Sequence, residues 1–225
     1  EYHLRHYGGD HTVEVKWEVA SSYFRGAFDS RRAWQRLGSI PFGNRRVLAL
    51  GAEDTLIALC VHGAGHLWLS LGWLCDVAEF VRASPALDWG ATLRMAREQG
   101  SLRIVLLTLW LARALLDLEL NAPVLRALAA DPRIAPLGER VTGLILSEPG
   151  FELTIGVRSR LQIWFRERPW DQVRYCLHFL IASFLPTQQE VRLLPLPSHL
   201  LLVYSLLRPI RLLAKYGRRL VRRGR

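Results

Sequence analysis

Residues 52–83 read AEDTLIALCVHGAGHLWLSLGWLCDVAEFVRA, and the rest of the chain is arranged around them. Glu53 and Asp54 are acids of the kind a first helical turn favours, because they face unpaired N–H groups and the positive end of the helix dipole. From Leu56 the apolar residues recur at helical spacing, with Leu56, Leu59, Cys60 and Gly63 on one stripe. His62 and His66 are four apart and so lie one above the other on one face. A second helix is expected over Leu71–Arg82, with Trp73, Leu74, Val77, Ala78 and Val81 apolar and Asp76, Glu79 and Arg82 polar. Gly63 and Gly65 inside the first helix each cost roughly 1 kcal/mol relative to alanine, which points to close packing of another element there.

Each histidine taken alone is most simply a packing residue, and Trp68 and Trp73 are most simply core. The sharper alternative is a metal site, with His62 and His66 at ligand spacing and Asp76 as a third ligand. A zinc-protease arrangement fails at once, since Gly63 stands where its glutamate base would be. Cys60, two helical positions before His62, falls on nearly the opposite face, which also argues against structural zinc.

At 225 residues the chain makes one large domain or two small ones, and with half its residues hydrophobic a sizeable core is expected. The net charge of +10 is unevenly spread. Residues 208–225 hold eight basic side chains and no acid, so the body before them is close to neutral. A nucleic-acid-binding body is therefore not indicated. Only Lys16 and Lys215 are lysines among 30 basic residues, a bias that lowers the weight of any single arginine as a site signal. Cys60, Cys75 and Cys176 make no C-x-x-C pair, so neither a disulfide framework nor a zinc knuckle follows and a reducing cytoplasm is expected. No stretch reaches the ~18 uncharged apolar residues of a spanning helix. The first residue is Glu1, and no signal-like segment follows it, so the chain reads as part of a longer product.

Along the chain, residues 1–11 are polar and aromatic with a Gly-Gly turn. Thr12–Val19 alternates, Val13, Val15, Trp17 and Val19 against Glu14, Lys16 and Glu18, and is the clearest strand in the sequence. A lone strand is not stable, and its partners are expected most simply from residues before Glu1. Residues 20–46 read as irregular or weakly helical, with Arg31–Leu37 a short helix candidate and Arg46–Leu50 a brief edge strand. Asp88 caps a helix to about Gln99, which Gly100 ends. Ser101 caps a long buried helix to about Leu120, and Pro123 opens a short one. Further helices are expected over Pro132–Ser147, residues 151–168, from Pro169 to before Pro186, and from Ser198 to about Tyr216.

There is no phosphate-cradling G-x-x-x-x-G-K-[ST] loop and no G-x-S-x-G elbow. Gly63-Ala64-Gly65 lacks a third glycine and sits in a helix, so it is not a dinucleotide fingerprint. Glu14 remains: a carboxylate on a strand can present an acid to a divalent metal, or can be an ordinary solvent-facing residue.

The run VEVKWEV at 13–19, AED at 52–54, the block LCVHGAGHLWLSLGWLCDVAEFV and LPLPSHLLLVYSLLRPIRLLAKYG at 194–217 together resemble the uncharacterised bacterial nucleotidyltransferase-like family. The H-x-x-x-H-x-W-x-x-L-x-W-L-x-D block is the most specific part. That family is similar to the polymerase-β-type nucleotidyltransferases, in which a Gly-Ser turn and a D-x-D pair hold Mg²⁺ and the triphosphate and a later strand adds a third carboxylate. The resemblance places Glu14 as that third carboxylate and puts the Gly-Ser turn and D-x-D pair upstream of Glu1. In-line transfer needs at least two carboxylates to seat its ions, so these residues alone are expected to be inactive. His62, His66 and Asp76, with Lys16 on the strand, are expected to contact the nucleotide or to orient the acids.

The expected fold is thus mainly α with a small β part (α+β), the terminal strand or strands of a nucleotidyltransferase-like sheet followed by a helical bundle. Residues 1–51 are read as the end of the α/β core, 52–217 as the bundle and 218–225 as a basic, disordered tail. The expected partners are a nucleoside triphosphate and an unknown acceptor. The alternative is a non-catalytic helical interaction module with a membrane- or partner-binding basic tail; weak contact of residues 208–225 with the inner membrane face is expected. Each basic residue near an anionic surface contributes on the order of 1 kcal/mol.

Overall fold

In the computed structural model of the chain, residues 2–5, 12–15, 27–147 and 153–184 are described, and for 2–5, 12–15 and 182–184 the description is of the backbone. These residues form two small antiparallel sheets and a run of helices, the mainly α, small β architecture expected of the sequence.

Strand β1 (Tyr2–Arg5) pairs antiparallel with β2 (Thr12–Val15). The register sets Tyr2 opposite Val15, His3 opposite Glu14, Leu4 opposite Val13 and Arg5 opposite Thr12. The expectation that the partner strand comes from residues before Glu1 is thereby corrected. Tyr2–Arg5 itself alternates apolar and polar, and Gly8-Gly9 stands in the sequence between it and Thr12. Of the expected strand, residues 16–19 lie outside the described residues.

Helix α1 (Ser30–Gln35) starts where the Asp29 carboxylate accepts the Arg32 N–H. It is followed by a second hairpin, β3 (Gly38–Phe42) and β4 (Arg45–Ala49). The edge strand expected near residue 46 is β4, but β3 replaces the irregular stretch expected over 38–42. A proline inside a run weighs against a strand, whereas a two-residue Gly-Asn loop such as Gly43-Asn44 favours a hairpin. Gly43 takes φ +61° and no positive φ occurs at Asn44, the pattern of a II′ turn with glycine at its first central position.

The helices then follow one another: α2 (Ala52–Gly65), α3 (Leu71–Ala83), α4 (Trp89–Gln99), α5 (Leu102–Leu116), α6 (Ala122–Ala130), α7 (Ile134–Ile145), α8 (Ile155–Trp164) and α9 (Pro169–Phe184). Their starts are chemical. Ser70, Asp88, Asn121 and Thr154 each accept a backbone N–H of the first turn, and each such cap contributes about 0.5–2 kcal/mol. Gly100 closes α4 with φ +75°, and Arg168 donates to the carbonyls of Arg97 and Glu98 in the last turn of that helix. Helix α5 ends at Leu116 rather than near Leu120. Asp117 turns into the left-handed region (φ +50°), which aspartate tolerates better than most residues, and the Leu118 N–H returns to the Ala112 carbonyl.

Helix α5 is the axis of the core. Ile104 to Leu109, Leu111 and Ala112 are buried, and α5 packs against α2, α3, α4, α6 and α7. A helix apolar on nearly all sides has to be enclosed in this way. Cys60 on α2 lies fully inside, where burial pushes its thiol up to about 12. A thiol reagent added to the native chain is therefore expected to titrate the exposed Cys75 and Cys176 and to reach Cys60 only on unfolding. Prompt reaction of all three would show that α2 opens in the native state.

By compactness the chain divides into residues 1–172 and 173–225. Of the second unit, the rest of α9 is described, where the rings of Tyr175 and Phe179 stack at 6.4 Å. The helix expected over 198–216 and the tail 218–225 lie outside the described residues. No helix of the described residues is long and apolar enough to cross a membrane.

Candidate functional site

The junction of α2 and α3 is fixed from within. At the end of α2 the chain turns through Leu67 (φ +59°) and Trp68 (φ +49°), a backbone conformation that costs non-glycine residues of order 1–3 kcal/mol each. Both side chains are fully buried, and the Trp68 ring meets Phe165 edge-on with centroids 5.2 Å apart. The Leu67 and Trp68 N–H groups return to the carbonyls of Ala64 and Gly63. Gly63 is glycine for a steric reason: a Cβ there would stand 2.7 Å from Trp68 Nε1. This is the close packing that a glycine within the helix implied.

The burial of Leu67 and Trp68 leaves His66 exposed between α2 and the turn, with His62 half-buried one helical turn earlier. Their rings meet at 4.9 Å and 60°, as the four-residue spacing requires. Trp73, from the first turn of α3, joins them. Its indole stacks on His66 at 4.5 Å and 20° and meets His62 edge-on at 6.2 Å. Trp73 is thus half-buried and part of the histidine cluster rather than plain core. Nothing in the spacing of a single helix could reveal this, because the contact crosses between two helices.

Asp76 is exposed on α3, one turn after Trp73, and makes no ion pair among the described residues. Glu14 is placed by the β1–β2 register opposite His3, and Lys16 lies outside the described residues. Gly-Ser dipeptides occur at 38–39, where β3 begins, and at 100–101, between α4 and α5; neither is followed by a D-x-D pair. Among the described residues no group of three His, Cys, Asp or Glu side chains could hold a metal ion.

Two arginines tie neighbouring elements together. Asp54, read from sequence as a dipole-facing acid of α2, is almost fully buried. It accepts two hydrogen bonds from Arg36, Nε at 3.0 Å and Nη2 at 2.7 Å, which tie the end of α1 to the start of α2. Arg103 on α5 is only 7% exposed. It donates to Asp131 at 2.7 Å and to the carbonyls of Trp164 and Arg166 at 3.3 and 3.0 Å. Beside it, burial pushes the Glu167 carboxyl above its ordinary range, partly opposed by the Leu102 N–H it accepts and by the charge of Arg103.

A comparison with known protein families matches residues 1–117 to the family described as uncharacterised nucleotidyltransferase, and the chain belongs to that family. The matched span runs from the β1–β2 hairpin to the end of α5 and so contains Glu14, both histidines, Trp73 and Asp76. No curated protein and no solved structure matches the chain.

Proposed function

We propose that the protein serves nucleotidyl transfer from a nucleoside triphosphate to an acceptor, with Glu14 as one of the carboxylates that hold Mg²⁺. His62, His66, Asp76 and Lys16 then lie beside the nucleotide or orient the acids. The observation that carries this reading is the family match, whose span includes β2 with Glu14 and the α2–α3 pair with the histidines. The histidine cluster supports it. An exposed imidazole lying flat against an indole offers a π face of the kind on which a base stacks, worth about 1–3 kcal/mol per base. One glutamate does not seat the two ions of an in-line displacement, and the described residues do not complete the set. In this reading Glu14 acts together with further carboxylates.

The test is Glu14→Ala in the full-length protein, assayed for Mg²⁺-dependent release of pyrophosphate from each of the four nucleoside triphosphates. Turnover is expected to fall at least about a hundredfold, equivalent to ~2.7 kcal/mol of transition-state stabilisation, with the melting temperature unchanged. Unchanged turnover in that variant would remove Glu14 from the mechanism. A wild-type protein inert towards all four triphosphates would end the transferase reading itself.

A further inference from the structure

Going beyond the transferase reading, we infer that the outer edge of β4 is a docking edge for an extended, acidic segment of another protein, which joins the β3–β4 hairpin as a third strand. The hairpin is exposed along nearly its whole length, with Phe42 72% and Leu48 68% accessible. A two-stranded pair in water is marginal, and a third strand is the usual remedy.

The two edges of the hairpin are not equivalent. The two-residue loop makes Phe42 and Arg45 the closing hydrogen-bonded pair, so Ile40 and Phe42 turn their backbone groups into the ladder and Ser39 and Pro41 turn theirs out. On β3 that outer edge is blocked. Pro41 has no N–H to offer, and the Arg46 guanidinium already donates to the Ser39 carbonyl at 2.6 Å and to its hydroxyl at 2.9 Å. On β4 the outward groups are those of Arg46 and Leu48, and no described residue outside the hairpin hydrogen-bonds them. Among the described residues one edge is closed and one is open, so an added strand lies beside β4.

Charge selects the occupant. Residues 30–52 carry five arginines and no acid. Arg32 is near Asp29 and Glu98, and Arg36 is held by Asp54, whereas Arg31 and Arg45 have no acidic partner among the described residues. A second copy pairing through β4 would bring four more or less adjacent arginines onto one small sheet with no acid between them, which cross-strand pairing disfavours. A strand with acids beside Arg45 and Arg46 and apolar residues beside Val47 and Leu48 satisfies both the charge and the exposed apolar face.

The probe is a fluorescein-labelled peptide of about ten residues in which glutamate alternates with valine and threonine, compared with its lysine counterpart by fluorescence anisotropy near physiological salt. The wild-type chain is expected to bind the acidic peptide and not the basic one. Leu48→Pro deletes only an outward N–H, so the hairpin ladder is retained while affinity falls at least about tenfold; Leu48→Ala, which keeps that N–H, loses less. Arg45→Glu, a check independent of the proline's effect on folding, is expected to lose the acidic peptide and gain the basic one. Failure of the wild type to bind the acidic peptide would overturn the proposal. So would equal binding by the wild type, Leu48→Pro and Arg45→Glu, which would show attraction by bulk charge alone. Self-association that Leu48→Pro abolishes, without peptide binding, would assign the edge to a second copy instead.

Discussion

Trp68→Ala is expected to cost the fold about 3–5 kcal/mol, the range for emptying a fully buried aromatic site. The loss has two sources. The indole is the body against which Phe165 packs edge-on, and it holds two consecutive residues in a left-handed turn that they would otherwise leave. Trp68→Phe is expected to cost far less, about 1 kcal/mol. It keeps a ring, and the Nε1 that it deletes is buried with no hydrogen-bond partner among the described residues. Gly63→Ala should destabilise the wild type through its contact with the indole and do so less in the Trp68→Ala background. Denaturant unfolding of the four variants measures all of this. A loss under ~1 kcal/mol in Trp68→Ala would mean that the turn is held by something else.

Arg103→Leu is expected to be as damaging, about 3–5 kcal/mol, because it strands partners rather than merely removing a contact. Asp131 loses its guanidinium, and the carbonyls of Trp164 and Arg166 lose their donor where α8 gives way to α9. The loss should also depend on pH. The Glu167 carboxyl is already raised by burial, and Arg103 is one of the groups pulling it back down, so the variant raises it further. A carboxyl raised in the folded state favours folding when protonated, and that contribution disappears as pH rises through its folded value. The deficit of Arg103→Leu relative to wild type is therefore expected to be larger at about pH 7 than at about pH 4. A deficit independent of pH would separate Glu167 from Arg103.

Much of the helical order was legible because its punctuation is local. Asp88, Gly100, Pro123 and Pro169 announce starts and stops within a turn of where they act. The hairpins were harder to read. β1 is four residues with an alternation too short to stand out, and β3 carries a proline on the one edge where a proline is harmless. At the candidate site, the four-residue spacing correctly put His62 and His66 on one face. Trp73 joined them across a helix junction, and Asp54 proved to be the buried partner of Arg36, 18 residues away. Such pairings depend on packing between elements, which residue type and period do not encode. The same holds for Arg103, an arginine among thirty basic residues whose sequence gave it no distinction.

The left-handed turn at Leu67 and Trp68 has a mechanical consequence. Where a link between elements serves as a hinge, a few residues in it absorb changes in φ and ψ. This one is built the opposite way, from two buried side chains whose torsions cannot change without pulling an indole and a leucine out of the core. Helices α2 and α3 must therefore move as one rigid piece, and the imidazole pair and the Trp73 indole travel together as a fixed template. A molecule that reads that template meets rings already ordered, so binding there loses little side-chain entropy. Any conformational response to it has to come from the elements around the template.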